Sequence, residues 1–146
     1  MLRGMIARAL LACLVPALAG CAAGSESEPV EARIEASCGP TDAAGFRLIL
    51  PVAQGELDIF APGWPDDDPR RLTMRDGHRF EGLTMGLCDG EGAQRRCRNV
   101  PSGSLEIASQ GAVFAGEVEA KLADDDTLRL RFTATETRIT EPMMCG

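Results

Sequence analysis

A repeated two-residue alternation of apolar and polar side chains constrains this chain more than any other feature. From Val30 to Cys38, Val30, Ala32, Ile34, Ala36 and Cys38 share one side, and Glu31, Arg33, Glu35 and Ser37 share the other. Phe114, Gly116, Val118, Ala120 and Leu122 alternate with Glu117, Glu119 and Lys121. Leu128, Leu130, Phe132 and Ala134 alternate with Arg129, Arg131, Thr133 and Thr135. Successive strand side chains point to opposite faces, so each segment predicts a strand with one buried face and one wet face. A short helix beginning at Ser27 is the weaker reading of the first segment, on the helix preference of Ala and Glu.

The same pattern recurs more briefly. Phe46, Leu48, Leu50 and Val52 form one apolar face, and Leu57-Asp58-Ile59-Phe60 reads as a strand after the turn at Gln54-Gly55-Glu56. Strands are expected at Arg71–Arg75 and His78–Cys88 around an Asp76-Gly77 hairpin turn. Leu105 and Ile107 begin another that turns near Gln110-Gly111, and Ile139–Cys145 forms a last one. Residues 61–70 hold three prolines and a glycine, which predicts an irregular loop. Seven or eight short strands with Gly/Pro turns predict an all-β fold, a mainly antiparallel sandwich or small barrel.

Six cysteines are present: Cys13, Cys21, Cys38, Cys88, Cys97 and Cys145. Arg3 and Arg8 precede an apolar run from Ala9 to Leu18, closed by small residues before Cys21. A spanning helix needs about 20 apolar residues, more than this run supplies, so residues 1–20 read as a cleaved export signal. Leu18-Ala19-Gly20-Cys21 resembles the lipobox of bacterial lipoproteins. That resemblance covers residues 1–21. It implies cleavage before Cys21, lipid on its sulfur and amine, and a membrane-held protein. By the enteric pattern of this family, Ala22 rather than Asp implies sorting to the outer membrane, facing the periplasm. Residues 21–29 are then a lipidated cysteine and a small, polar tether, and 30–146 a single domain.

Four cysteines remain after export, an even number in an oxidising compartment, which reads as two disulfides with three pairings open. Cys88–Cys97 is favoured as a local link around Asp89-Gly90 and Gly92, and Cys38–Cys145 as a clasp between the domain's ends. Chain entropy assigns about 2.7 kcal/mol to the short loop and about 4.7 to the long one. A four-thiol zinc site fits less well, because Cys38 and Cys145 have no close cysteine partner.

Removing residues 1–20 takes away Arg3 and Arg8 and no acid. The mature balance of 13 basic and 22 acidic residues is −9, against −7 for the whole chain. So acidic a domain is poorly suited to nucleic acid, whose affinity comes from neutralising phosphates. His78 is the single histidine, no nucleophile elbow is present, and the expected disulfides leave no thiolate. No enzyme, metal or cofactor is therefore expected. Asp66-Asp67-Asp68 and Asp124-Asp125-Asp126 lack calcium-loop spacing and read as turns.

Two features fall outside the strand pattern. Trp64, the single tryptophan, sits in the proline-rich loop, where it either caps a core or offers a contact. Arg95, Arg96 and Arg98 surround Cys97, where they either balance Asp89 and Glu91 or hold an anion. If the two loops meet, Trp64 and these arginines form a patch for an acidic protein or an anionic envelope component. The function expected is a membrane-held, non-enzymatic binding or structural domain. A barrel carrying an apolar ligand comes second and a hydrolase last.

Overall fold

The computed structural model describes residues 28–39, 41–74, 82–137 and 144–145. The signal, Cys21, most of the tether, Asp76-Gly77, His78 and residues 139–143 of the expected last strand lie outside the described residues.

Nine strands form one sheet: β1 (Val30–Cys38), β2 (Ala44–Val52), β3 (Gly55–Pro62), β4 (Arg70–Thr73), β5 (Thr84–Asp89), β6 (Arg96–Asn99), β7 (Ser102–Gln110), β8 (Val113–Lys121) and β9 (Thr127–Glu136). Their order is β4-β7-β8-β9-β1-β2-β3-β5-β6. Every pairing is antiparallel except β1 with β9. The fold is all-β, as the alternation predicts. It is a single curled sheet, a half-barrel whose two edges are β4 and β6, rather than two stacked sheets.

The curl encloses one core. Ile34, Phe46, Leu48, Leu50, Leu57, Ile59, Leu105, Ile107 and Phe132 are almost wholly withdrawn from solvent and come from both halves of the sheet. At about 25 cal/mol per Å² of apolar area, this burial is the main favourable contribution to the fold. The two halves approach at Gly103 on β7: a Cβ there would lie 2.8 Å from the Met85 sulfur on β5 and 2.5 Å from the Glu119 carbonyl oxygen on β8, and the backbone contact leaves room only for glycine.

Turn chemistry explains the hairpins. Gly111 takes φ 72 between β7 and β8, the positive value that a two-residue hairpin loop requires. Asp124-Asp125-Asp126 closes β8 onto β9: Leu122 N donates to the Asp126 carbonyl, Asp125 N donates to the Leu122 carbonyl, and Asp125 has φ 61. On the wet face beyond it, Arg129 meets Glu119 at 2.9 Å and Arg131 lies 3.9 Å from Glu117.

The parallel seam joins two antiparallel blocks and is slightly weaker per residue than an antiparallel one. Thr137 N extends it by donating to the Ile34 carbonyl, and Cys38–Cys145 ties the end of β1 to the C-terminal tail. Cys88 and Cys97 face each other across β5 and β6 and form the second disulfide. Both links follow the pairing favoured from sequence.

Several boundaries differ from the sequence reading: Gly55 and Glu56, read as turn, already belong to β3. Ala61, Pro62 and Arg70 belong to strands, leaving residues 63–69 as the irregular loop. Pro62 is tolerated because it ends β3. Among the described residues, the strand expected from His78 begins only at Thr84. The ninth strand, β6, is Arg-Cys-Arg-Asn, which carries no apolar alternation to announce it.

Candidate functional site

Trp64 follows β3 and packs edge-on against Phe46 of β2, centroids 6.2 Å apart, and Phe114 of β8, 5.6 Å apart. Such perpendicular aromatic pairs add stabilisation beyond their buried area. The loop carrying Trp64 connects β3 to the far edge strand β4, so it crosses between the two halves of the sheet. Pro65 is buried, and the Asp66 carbonyl accepts a hydrogen bond of 2.7 Å from Ser109 N at the end of β7. Trp64 is 40% exposed, which makes it a partly exposed closure of the core rather than a free contact residue.

The three arginines have two different fates. Arg95 folds back over the outer face of β3, with one nitrogen 3.0 Å from Asp58 and 3.3 Å from Glu56. Its side chain is 26% exposed, and its Nε is buried without a hydrogen-bond partner among the described residues. Asp58, at 17%, also receives both ends of the Arg47 guanidinium: Nε donates to Oδ1 at 2.7 Å and Nη2 donates to Oδ2. Arg47 also reaches Glu35 at 3.5 Å, and Arg33 reaches Glu56 at 3.5 Å. Hydrogen bonding to Asp58 raises the Arg47 pKa above its ordinary value despite partial burial, so its charge is fixed.

These six side chains, three arginines and three acids, form a closed and neutral network. It is built by register: outward positions of β1, β2 and β3 lie side by side, and the turn at Gly92–Gln94 returns Arg95 over them. The sequence leaves Arg95, Arg96 and Arg98 either balancing Asp89 and Glu91 or holding an anion. The described partners of Arg95 are instead Glu56 and Asp58, more than thirty residues away along the chain.

Arg96 and Arg98 lie on β6 with exposed side chains and no ion pair among the described residues. Their register partners are Asp89 and Leu87, so they point to the sheet face that Leu87 turns to the core, beyond the core's limit. The patch joining Trp64 to all three arginines is not formed. Trp64 packs on the core side beyond the last residue of β3, while Arg95 covers the first half of its outer side. The two therefore lie on opposite sides of the sheet.

One set of metal-ligating atoms lies close together: a carboxylate oxygen of Asp58 and the sulfurs of Cys88 and Cys97 fall within 4.8 Å of one another. The sulfurs are bonded to each other, and Arg47 and Arg95 hold the carboxylate. That chemistry fits a structural cluster, not a metal centre. Two open depressions, of about 640 and 410 Å³, lie on the outer face. The larger is floored by Ile49 and Pro51 and edged by Glu31, Arg33, Glu56, Val113 and Thr135, and two of its charged groups, Arg33 and Glu56, already pair with each other. Among the described residues, no helix is long and apolar enough to cross a membrane.

Neither protein-family models nor curated proteins nor solved structures match the chain. The chemistry of Arg96 and Arg98 is therefore the feature on which a functional reading rests.

Proposed function

We propose that the protein is an exported lipoprotein, held through lipid on Cys21 at the outer membrane and facing the periplasm. Its β domain acts as a non-enzymatic binding module for an acidic protein partner or an anionic envelope component. The observation that carries the binding reading is the pair Arg96 and Arg98, exposed and unpaired among the described residues on an edge strand of an otherwise acidic chain. Guanidinium groups bind carboxylates bidentately, and their isolation in an acidic surface gives the contact its direction. Two disulfides suit an oxidising compartment. A contiguous cluster of buried side chains within the curl, among the described residues, favours recognition at the surface over enclosure of an apolar ligand.

Two measurements test this. Metabolic labelling with a fatty acid is expected to mark the wild-type chain and to fail with Cys21→Ala; label persisting on that variant would remove the anchor. The detergent-solubilised full chain is expected to retain polyglutamate and to lose it when Arg96 and Arg98 are both changed to Glu. Retention indifferent to that reversal would refute the binding surface.

A further inference from the structure

We infer that β6 is a docking edge for strand addition, and that its occupant is an extended acidic segment of a partner protein. This rests on the binding reading above and specifies its mode.

The backbone supplies the first half of the argument. Val100 N donates to the Met85 carbonyl, continuing the β5–β6 ladder. Antiparallel pairs alternate between hydrogen-bonded and non-hydrogen-bonded positions. Met85–Val100 is therefore a bonded pair, and Leu87–Arg98 and Asp89–Arg96 follow as bonded pairs in the same register. Gly86–Asn99 and Cys88–Cys97 are the pairs between them. The N–H and C=O of Cys97 and Asn99 consequently point away from β5, toward the open edge. Among the described residues no strand pairs with that side. Every residue of β6 is exposed. The Cys88–Cys97 disulfide bonds the edge strand to its neighbour, so its geometry is set before a partner arrives.

The side chains supply the second half. Arg96 and Arg98 stand two residues apart on one face, the repeat of an added strand. Acids at alternate positions of that strand meet both. A second copy of this chain is disfavoured, because two β6 edges side by side bring arginine against arginine. Charged side chains turned inward on a short edge strand are a known defence against such self-pairing. Here the defence admits the opposite charge. Strand addition uses backbone hydrogen bonds for affinity and alternate side chains for selection. The other edge fits less well: β4 is partly buried, and its Arg71 lies 4.0 Å from Glu106.

The test uses the full lipidated chain in detergent and a short peptide alternating Glu with Val. The expected result is binding, weakened about tenfold by Arg96→Glu with Arg98→Glu, and slower exchange of the Cys97 and Asn99 amide protons. The same peptide N-methylated on its β6-facing residues keeps its charge and loses its donors, and is expected to bind about tenfold more weakly. Equal binding of the methylated peptide would overturn strand addition while leaving the acidic-partner reading intact. Binding that is insensitive to Arg96 and Arg98 but lost with Arg70→Glu and Arg71→Glu would place the site on β4 and refute β6. An anionic polysaccharide that competes fully and leaves the two amides exchanging freely would refute it as well. If the double reversal does not fold, the methylated peptide on the wild-type chain still decides the question.

Discussion

The two segments that strand periodicity leaves unassigned in the sequence, the Trp64 loop and the Cys97 loop, have opposite fates in the fold. The Trp64 loop has the composition of a binding loop, with an aromatic among prolines and aspartates, yet its tryptophan closes the core between Phe46 and Phe114. The Cys97 loop has the composition of a uniform basic cluster, yet it divides. Arg95 completes an ion network with Asp58 and Glu56, while Arg96 and Arg98 remain exposed, with no ion pair among the described residues. Residue type therefore does not separate structural from functional groups here. The partner already present in the fold does. A side chain whose chemistry is satisfied internally has little left to offer a ligand, and an exposed guanidinium nearby has all of it.

The contrast is tested most severely at Trp64. Trp64→Ala is expected to destabilise the domain by about 2–3 kcal/mol, below the full core value because the ring is part exposed. The denaturant midpoint, followed by circular dichroism since the variant lacks the single tryptophan, checks this. A change under about 0.5 kcal/mol, the ordinary range for a surface position, would make Trp64 a free contact residue after all. Trp64→Phe should recover part of the loss, because an aromatic edge still meets both phenylalanines.

The ion network gives the next effect. Asp58→Ala leaves Arg47 and Arg95 part-buried without their shared carboxylate, and is expected to cost about 2 kcal/mol. Asp58→Asn, which keeps an acceptor and loses the charge, should cost less. The unfolding transition of each variant can be read from Trp64 fluorescence. An Asp58→Ala variant as stable as wild type would mean that Arg95 is no more committed than Arg96, and the division of the cluster would collapse.

Much of the fold was legible because strand alternation is local. Val30–Cys38, Phe114–Leu122 and Leu128–Ala134 each carry their face assignment within ten residues, and the structure places strands over all three apart from Leu122, which begins the turn. The disulfide pairing was legible because Cys88 and Cys97 bracket a turn and Cys38 and Cys145 bracket the domain. The parallel seam was not, since nothing near Val30 says that Phe132 lies beside it. Nor was the partner of Arg95. Asp58 reads as an outward strand position and Glu56 as part of the turn before it, and which arginine crosses them depends on strand order and on the turn at Gly92–Gln94. β6 escaped notice because an edge strand with no buried residue has no hydrophobic period. The feature that hid it, four exposed residues with two arginines, is the feature that singles it out in the fold.

The smallest expected effect is also the most discriminating. Arg96 and Arg98 make no ion pair among the described residues, so their replacement removes no described ion pair from the folded state. Arg96→Ala with Arg98→Ala is expected to change stability by no more than about 0.5 kcal/mol, within the ordinary range for exposed positions. Arg95→Ala, one residue away, removes two ion-pair contacts to β3 and should cost more, on the order of 1 kcal/mol, as expected for a partly buried pair. Raising salt should narrow the gap only slightly, because part-buried pairs are weakly screened. A thermal melt of the variants side by side with the wild type measures the contrast. If the Arg96/Arg98 double variant melts as early as Arg95→Ala, all three arginines serve the fold, and the edge of β6 loses its claim to a partner. If Arg95→Ala alone melts early, the four residues from Arg95 to Arg98 hold both a structural clamp and an uncommitted pair of guanidinium groups, separated by one strand's alternation.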